Sequence, residues 1–133
     1  MVTDSTPALC GWLAKYEAVV EVGIGNRTDV AAGLAERGVR VTATDIHERP
    51  VPEGVRFVRD DVTAPDLDVY RDAEVLYALN LPPELHRPVW DVAKRVGAEF
   101  VFTTLGGDQP AIPVTRETIP GDTLYLARAG PGR

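Results

Sequence analysis

Short apolar runs alternate with stretches of helical periodicity along most of this 133-residue chain. The runs are rich in Val, Leu and Phe and have the length of strands that lie inside a sheet. They predict strands over 18–22, 39–44, 55–59, 75–79 and 100–104. Apolar residues at helical spacing predict helices over 8–17, over about 28–37, and from the Pro82-Pro83 pair to about Val96.

This alternation of strands and helices predicts an α/β fold of the Rossmann-like type. Such a fold is a three-layer sandwich in which helices cover both faces of a mostly parallel sheet. Two connections differ from the regular pattern: residues 48–54 are Pro-rich and lack a helical period, and residues 65–71 predict only a short polar turn or helix.

The C-terminal part of the chain predicts a different kind of pairing. A turn at 119–122 followed by an apolar run at 123–127 predicts an antiparallel strand or hairpin at the C-terminal edge of the sheet. Residues 129–133 are expected to be frayed. Because no internal repeat or linker interrupts the pattern, we expect one compact domain over residues 1–133.

The first strand ends in a motif with two closely spaced glycines, Glu21-Val22-Gly23-Ile24-Gly25. Gly23 can take a positive φ and lets the chain turn sharply. Gly25 removes a side chain where a ligand would approach the backbone. The following helix directs free N–H groups and a partial positive charge toward the same place. The motif therefore predicts a nucleotide-type ligand, although an empty tight turn between strand and helix would use the same residues.

Two positions depart from the known glycine-rich fingerprints. The dinucleotide form G-x-G-x-x-G has glycine where this chain has Thr28. The methyltransferase form, acid-x-G-x-G-x-G, has glycine where this chain has Arg27. An arginine at this position could bind the carboxylate of a cofactor or, instead, a phosphate group.

Polar residues or glycines follow several other predicted strands. Asp45 ends the second strand, 22 residues after Gly23, where a Rossmann unit places the acid that binds the ribose hydroxyls. Asp61 follows the third strand and either accepts a hydrogen bond from an adenine amino group or closes an Asx-type turn. Asn80 follows the fourth strand and Gly106 the fifth. Because ligands bind parallel sheets at the carboxyl ends of the strands, near the switch in strand order, these positions predict one site.

Composition narrows the functional classes. The chain is 44% hydrophobic, which indicates a globular protein, and no apolar stretch approaches the about 20 residues of a membrane span. Residues 1–7 lack the features of a signal peptide, so we expect a cytoplasmic protein. The net charge of −6 argues against broad binding to nucleic-acid backbones. One cysteine, Cys10, and two histidines predict neither a disulfide framework nor a strong metal site.

The basic residues have an unusual distribution. Lys15 and Lys94 are the only lysines, and the other bases are arginines. Together with the excess of acids, this resembles the composition of proteins from salt-adapted microbes. A GC-rich genome would also favour arginine over lysine.

These motifs resemble the class I S-adenosylmethionine-dependent methyltransferases over roughly residues 18 to 104. Residues 21–25 are similar to their first motif, Asp45 to the acid that holds the ribose, and Asp61 to the acid that reads the adenine. Asn80-Leu81-Pro82-Pro83 resembles the Asn/Asp-Pro-Pro-aromatic motif of amino methyltransferases. In this chain Leu81 separates the Asn from the Pro-Pro pair, and Glu84 replaces the aromatic residue. The cofactor-binding residues that the resemblance implies are Glu21, Gly23, Gly25, Arg27, Asp45 and Asp61.

The whole chain resembles more closely a small, mostly archaeal family of uncharacterised proteins with a methyltransferase-like Rossmann domain. This likeness rests on the runs Val-Glu-Val-Gly-Ile-Gly (20–25), Ala-Thr-Asp-Ile (43–46), Asp-Asp-Val (60–62), Leu-Pro-Pro-Glu-Leu (81–85) and Thr-Thr-Leu-Gly (103–106). Membership of that family implies the fold and no established activity.

Three functional hypotheses remain open. The first is a small enzyme that binds S-adenosylmethionine and transfers its methyl group. The second is a protein that binds NAD or another nucleotide, with Arg27 on the phosphates. The third is a degenerate Rossmann domain that acts through a protein partner.

The first hypothesis assigns roles to residues after the fourth strand. Methyl transfer requires alignment more than acid–base chemistry, and Asn80 would orient the nucleophile. His86, one turn into the next helix, would be a base for an oxygen nucleophile or simply a solvated helix residue. No segment is left to build a substrate-recognition insert. A protein partner or a second copy of the chain could supply that surface, which would reconcile the first hypothesis with the third.

Overall fold

The computed structural model describes residues 4–128, in which three helices and seven strands form the predicted α/β sandwich. The helices are α1 (Thr6–Leu13), α2 (Asp29–Glu36) and α3 (Pro83–Val96). The strands are β1 (Ala18–Val22), β2 (Arg40–Asp45), β3 (Val55–Arg59), β4 (Val75–Ala78), β5 (Glu99–Phe102), β6 (Val114–Ile119) and β7 (Asp122–Ala127). The predicted fraying of residues 129–133 lies outside the described residues.

All seven strands belong to one sheet, in the order β3-β2-β1-β4-β5-β7-β6. Strands β1 to β5 pair in parallel, and β7 is antiparallel to both β5 and β6. This confirms the mostly parallel sheet with an antiparallel hairpin at its C-terminal edge. The chain proceeds outward from β1 to β3 and then returns to β4 on the other side of β1, so the switch point lies between β1 and β4.

The two faces of the sheet are covered by different helices. The core that contains Val19 and Tyr77 packs against α1 and α2, and the core that contains Val20 and Phe102 packs against α3. Alternate residues of the buried strands enter the two cores because side chains of a strand point to opposite faces. Three layers result, as the sequence predicts.

Some element boundaries differ from the sequence prediction. Helix α1 ends at Leu13 rather than continuing to 17. The chain then turns into β1, where the Glu74 carboxylate accepts hydrogen bonds from the backbone N–H groups of Glu17 and Ala18. The segment that predicts a short turn or helix contains one turn of 3-10 helix, Leu67–Val69. Strand β7 lies between β5 and β6, an order that the sequence pattern alone does not specify.

Candidate functional site

The glycine turn after β1 has the sharp geometry that its sequence predicts. Gly23 and Gly25 have φ values of +70° and +56°, a region that residues with a Cβ adopt only at a cost. A Cβ at either position would meet no other atom within 4 Å. Within the chain itself, the backbone conformation rather than lack of space therefore accounts for both glycines. The N–H groups of Gly23 and Ile24 donate to the Thr44 carbonyl, each at 2.9 Å, and so fix the turn against the end of β2.

Asp45 lies directly against this turn. Its carboxylate accepts hydrogen bonds from the Gly25 N–H at 2.9 Å and from the His47 N–H at 3.0 Å. Arg49 Nε lies 3.4 Å from Asp45 Oδ2. Burial opposes ionisation of Asp45, but the two backbone hydrogen bonds and the Arg49 charge outweigh it, so the pKa of this carboxyl is lowered. The glycine turn and the acid, 20 or more residues apart in sequence, form one structural unit.

Glu21 points into the core rather than to the surface. Its side chain is 1% exposed, and Oε1 accepts a hydrogen bond from the Tyr77 hydroxyl at 2.7 Å. Burial raises the pKa of Glu21 to about 8, although the Tyr77 hydrogen bond and the Arg27 charge oppose the shift. At neutral pH the group is therefore mainly an uncharged carboxylic acid beneath the turn.

Arg27 is directed toward the start of α1. Its Nε lies 3.1 Å from Asp29 Oδ1, and its Nη2 donates to Ser5 Oγ at 3.3 Å and to Thr6 Oγ1 at 3.4 Å. Thr6 also donates from its hydroxyl to Asp29 Oδ2 at 2.6 Å. The guanidinium thus joins the N-termini of α1 and α2.

The two acids after β3 have different environments. Asp61 is exposed, and its Oδ1 accepts from the Thr63 N–H and hydroxyl at 2.9 and 2.7 Å, which is the Asx-type turn. Asp60 accepts from the Tyr70 hydroxyl at 2.6 Å and stabilises the following segment. Both acids line an open cavity of about 510 Å³ whose other lining residues are Ile46 and Arg59. Ile46 is 53% exposed there.

Asn80 occupies the carboxyl end of β4, across the switch point from the glycine turn. It is the one non-glycine residue between 4 and 128 with a positive φ, 52°. Its side chain is exposed. Asn tolerates this conformation better than most residues do. The side-chain amide is therefore available beside the predicted ligand site.

The prediction that His86 is a solvated helix residue is wrong, because its side chain is fully buried. Its Nε2 lies 2.8 Å from the Leu81 carbonyl, and its Nδ1 accepts from the Ala111 N–H at 3.0 Å. A general base needs a ring nitrogen that can take up a substrate proton. Both nitrogens are occupied within the fold, so this arrangement does not support the base role.

The structure thus brings some predicted residues into contact and leaves others apart. Gly23, Gly25 and Asp45 form one unit, Asn80 faces it from the adjacent strand, and Asp61 lies at the end of β3, two strands from β1. Sequence reasoning missed two residues that contact the site, Arg49 and Thr103. Each lies in a segment whose pattern carries no functional motif: Arg49 in the Pro-rich connection, and Thr103 at the end of an apolar strand.

The described part of the chain contains neither a cluster of metal-binding side chains nor a membrane-spanning helix. Between residues 4 and 128, no three His, Cys, Asp or Glu side chains lie together in a way that could hold a metal ion. Across the same residues, every helix is too short or too polar to cross a membrane.

The sequence matches an uncharacterised protein family over most of its length. The model of an uncharacterised protein family, UPF0146, matches residues 7–129. A UPF0146 protein of Halobacterium salinarum is 56% identical over 123 residues, which cover 92% of this chain and 95% of the relative. This relative supports the salt-adapted character that the composition indicates, and its archaeal source agrees with the family resemblance.

Solved structures show the same fold at low identity. An RNA methyltransferase from Salinibacter ruber, in complex with S-adenosyl-L-homocysteine, has a TM-score of 0.64 and 18% identity over 96% of this chain and 95% of its own. The magnesium protoporphyrin IX methyltransferase from Synechocystis, with bound S-adenosylmethionine, has a TM-score of 0.64 and 12% identity over 93% and 78%. The sheet described above is therefore a methyltransferase-like Rossmann fold.

Proposed function

We propose that this chain, which belongs to the uncharacterised protein family UPF0146, binds S-adenosylmethionine at the switch point between β1 and β4 and is a methyltransferase. The observation that carries the proposal is the hydrogen bond from the Gly25 N–H to the Asp45 carboxylate. It holds an ionised acid beside a glycine turn at the carboxyl ends of two parallel strands. The structural neighbours with bound S-adenosylmethionine or S-adenosylhomocysteine support the same choice of ligand.

The residues at this edge fit an adenosyl ligand chemically. A carboxylate offers about four lone-pair directions, and backbone amides use two of those of Asp45. The remaining directions suit the two ribose hydroxyls, once the Arg49 side chain gives way. Exposed Ile46 offers an apolar surface for a base, next to Asp61.

The cofactor, when bound, supplies a methyl group that is already activated by its sulfonium. The chain then has to align the acceptor and exclude water. Asn80 has its side chain exposed at the end of β4, on the side of the switch point opposite Asp45. We assign it the role of orienting the nucleophile through its side-chain amide.

The nucleotide hypothesis has less support from the geometry. It needs Arg27 for phosphate binding, whereas the guanidinium is engaged by Asp29, Ser5 and Thr6. Asp29 places a further negative charge at the same helix N-terminus. Both features disfavour a phosphate there.

Isothermal titration calorimetry of the full chain tests the proposal. The ligands are S-adenosylmethionine, S-adenosylhomocysteine, NAD and ATP, each in low and in high salt. We expect both adenosyl-sulfur ligands to bind and Asp45→Asn to weaken them by about tenfold to a hundredfold, because hydrogen bonds to a charged group are lost. Asp72→Asn, an exposed acid near the amino ends of the strands, is the matched control.

The other outcomes contradict the proposal. Binding of NAD or ATP alone would favour the nucleotide hypothesis. Binding that Asp45→Asn and Asp72→Asn leave equally tight would place the ligand elsewhere. If none of the four ligands binds in either salt, the degenerate domain becomes the better account.

A further inference from the structure

The backbone at Asn80 adopts a conformation that it would not keep unaided. A positive φ costs an ordinary residue roughly 1–2 kcal/mol, somewhat less for Asn. Such strain persists only where the surrounding structure determines it, and it is concentrated at functional sites. Asn80 has its side chain free in solvent, so its backbone contacts must hold it.

Thr103, at the end of β5, supplies the first set of contacts. It is fully buried, and its Oγ1 accepts from the Asn80 N–H at 2.8 Å. Its carbonyl accepts from the Leu81 N–H at 2.9 Å, and its own N–H donates to the Ala78 carbonyl at 3.0 Å. One residue thus fixes the chain before, at and after the strained position.

His86 supplies the second set and reaches a further loop. A backbone carbonyl only accepts and a backbone N–H only donates. The contacts to Leu81 and Ala111 therefore fix the neutral tautomer with hydrogen on Nε2 and a lone pair on Nδ1. The ring also packs on Phe102 at 4.5 Å between centroids. His86 joins the loop 80–82 to the loop 105–112 through one buried side chain.

We infer that Thr103 and His86 are positioning residues, the "Asn80 clamp", that hold Asn80 at the switch point, and that the two ring nitrogens of His86 hold loops 80–82 and 105–112 through separate hydrogen bonds. The inference rests on the proposed function for its consequence in ligand binding. The clamp also restricts what this loop can offer a nucleophile. His86 uses one of the two lone pairs of the Leu81 carbonyl, and the exposed Asn80 side-chain amide is a further polar group of this loop.

The loop 105–112, which His86 holds at Ala111, carries an exposed apolar side chain. Leu105 is 64% exposed and, with Ile46, is one of the two large apolar side chains that residues 4–128 leave exposed. Both follow the carboxyl ends of strands, on opposite sides of the switch point. His86 therefore contacts both the loop that carries Asn80 and the loop that carries Leu105.

Three variants of His86 separate its two hydrogen bonds. His86→Gln places an amide N–H near the Nε2 position and can keep the bond to the Leu81 carbonyl. His86→Asn places an amide oxygen near the Nδ1 position and can keep the bond from the Ala111 N–H. His86→Phe keeps the ring and loses both bonds.

Two measurements on the full chain give the test: amide hydrogen exchange at Ala111 without ligand, and the affinity for S-adenosylhomocysteine. We expect His86→Asn to keep Ala111 protection but to weaken the ligand about threefold to tenfold, the effect of one neutral hydrogen bond. His86→Gln should keep the affinity and lose about tenfold in Ala111 protection. His86→Phe should lose both.

This crossed pattern cannot arise from a general loss of stability. The inference is overturned if affinity and protection fall together in all three variants in proportion to their unfolding free energies. It is also overturned if His86→Phe leaves Ala111 protected. If the natural protein binds no adenosyl ligand, the proposed function fails. The clamp is still tested by the exchange pattern of the His86 variants and by Thr103→Val, which should shift the amide resonances of Asn80 and Leu81. Unchanged Asn80 and Leu81 resonances in that variant would refute the clamp.

Discussion

Among single residues, the buried Glu21 and its partner Tyr77 make folding depend on pH. A carboxyl with 1% exposure is favoured in its uncharged form. Burial raises its pKa in the folded protein to about 8, from the ordinary 4.5 of a glutamate side chain in water. The folded state therefore holds a proton that the unfolded state releases between these two pH values, and folding loses stability as the pH rises through this range.

Replacing Glu21 with Gln should remove this dependence. The amide keeps the shape and can still accept from Tyr77, but it does not ionise. Between pH 6 and pH 8 we expect Glu21→Gln to gain about 2 kcal/mol of unfolding free energy relative to the natural protein, near the limit of about 1.4 kcal/mol per pH unit. Urea unfolding across this range measures it, with exposed Glu36→Gln as the control. A difference that stays constant with pH would contradict this account of Glu21.

The sequence predicts some site residues and not others for physical reasons. Gly23 and Asp45 are recognisable because a positive φ and a strand-end acid each limit the residue types allowed at a fixed spacing. His86 is not recognisable, because its partners are backbone groups of Leu81 and Ala111 that leave no trace in residue type. Arg27 points to α1 rather than to the turn because Ser5, Thr6 and Asp29 surround it there, and those contacts are long-range.

Among the elements, helix α2, which follows the glycine turn, packs closely on α1. Gly33, inside α2, faces Cys10 of α1, and a Cβ at this position would lie 2.5 Å from Cys10 Sγ. Gly11, also helical, has no atom within 4 Å of such a Cβ. One glycine is thus required by packing, and the other is not.

The same substitution should therefore have opposite effects in the two helices. Gly11→Ala should raise the unfolding free energy by about 0.5–1 kcal/mol through helix propensity. Gly33→Ala should lower it by about 1–3 kcal/mol, because the overpacked contact must move apart. Urea denaturation of both variants, and of Gly33→Ala combined with Cys10→Ala, measures this. The close packing would be contradicted if both alanines raised the unfolding free energy equally. It would also be contradicted if Cys10→Ala gave no relief, so that the double variant lost as much unfolding free energy as the two single variants together.

Element positions follow from the sequence better than sheet order does. Apolar runs locate β1 to β5 within one or two residues because buried parallel strands need continuous apolar segments. The placement of β7 between β5 and β6 depends on pairs such as Phe102 with Tyr125, which periodicity does not encode. Residue 17, which periodicity assigns to helix α1, instead binds Glu74, far away in sequence, through its backbone N–H.

At the scale of the whole molecule, the two ends of the sheet differ in chemistry. The carboxyl end holds the glycine turn, Asp45 and Asn80. The amino end has a half-open groove of about 310 Å³, lined in part by Arg40, Arg56 and Asp72. Charged side chains of both signs line this groove, together with Gly54 in the turn before β3. Ligand binding at a parallel sheet is expected at the carboxyl end.

The charged residues of the chain indicate how the protein should respond to salt. Both lysines lie on tryptophan rings, Lys15 at 3.6 Å from the Trp12 centroid and Lys94 at 3.9 Å from that of Trp90. The net charge of −6 leaves an acidic surface. Exposed ion pairs on such a surface are weak and are screened by salt. The buried contacts around Gly25, Thr103 and His86 are screened much less, so we expect the site to keep its geometry in high salt.

Titration of the ¹⁵N-labelled protein with S-adenosylhomocysteine, followed by backbone amide chemical shifts, tests whether the ligand binds at the switch point. We expect saturable shifts at Gly23, Gly25, Ile46 and Asn80, at the carboxyl ends of β1, β2 and β4. We expect little change at Arg40 and Arg56, at the amino end of the sheet. Shifts confined to that amino-end groove, or a spectrum that the ligand leaves unchanged, would contradict binding at the switch point.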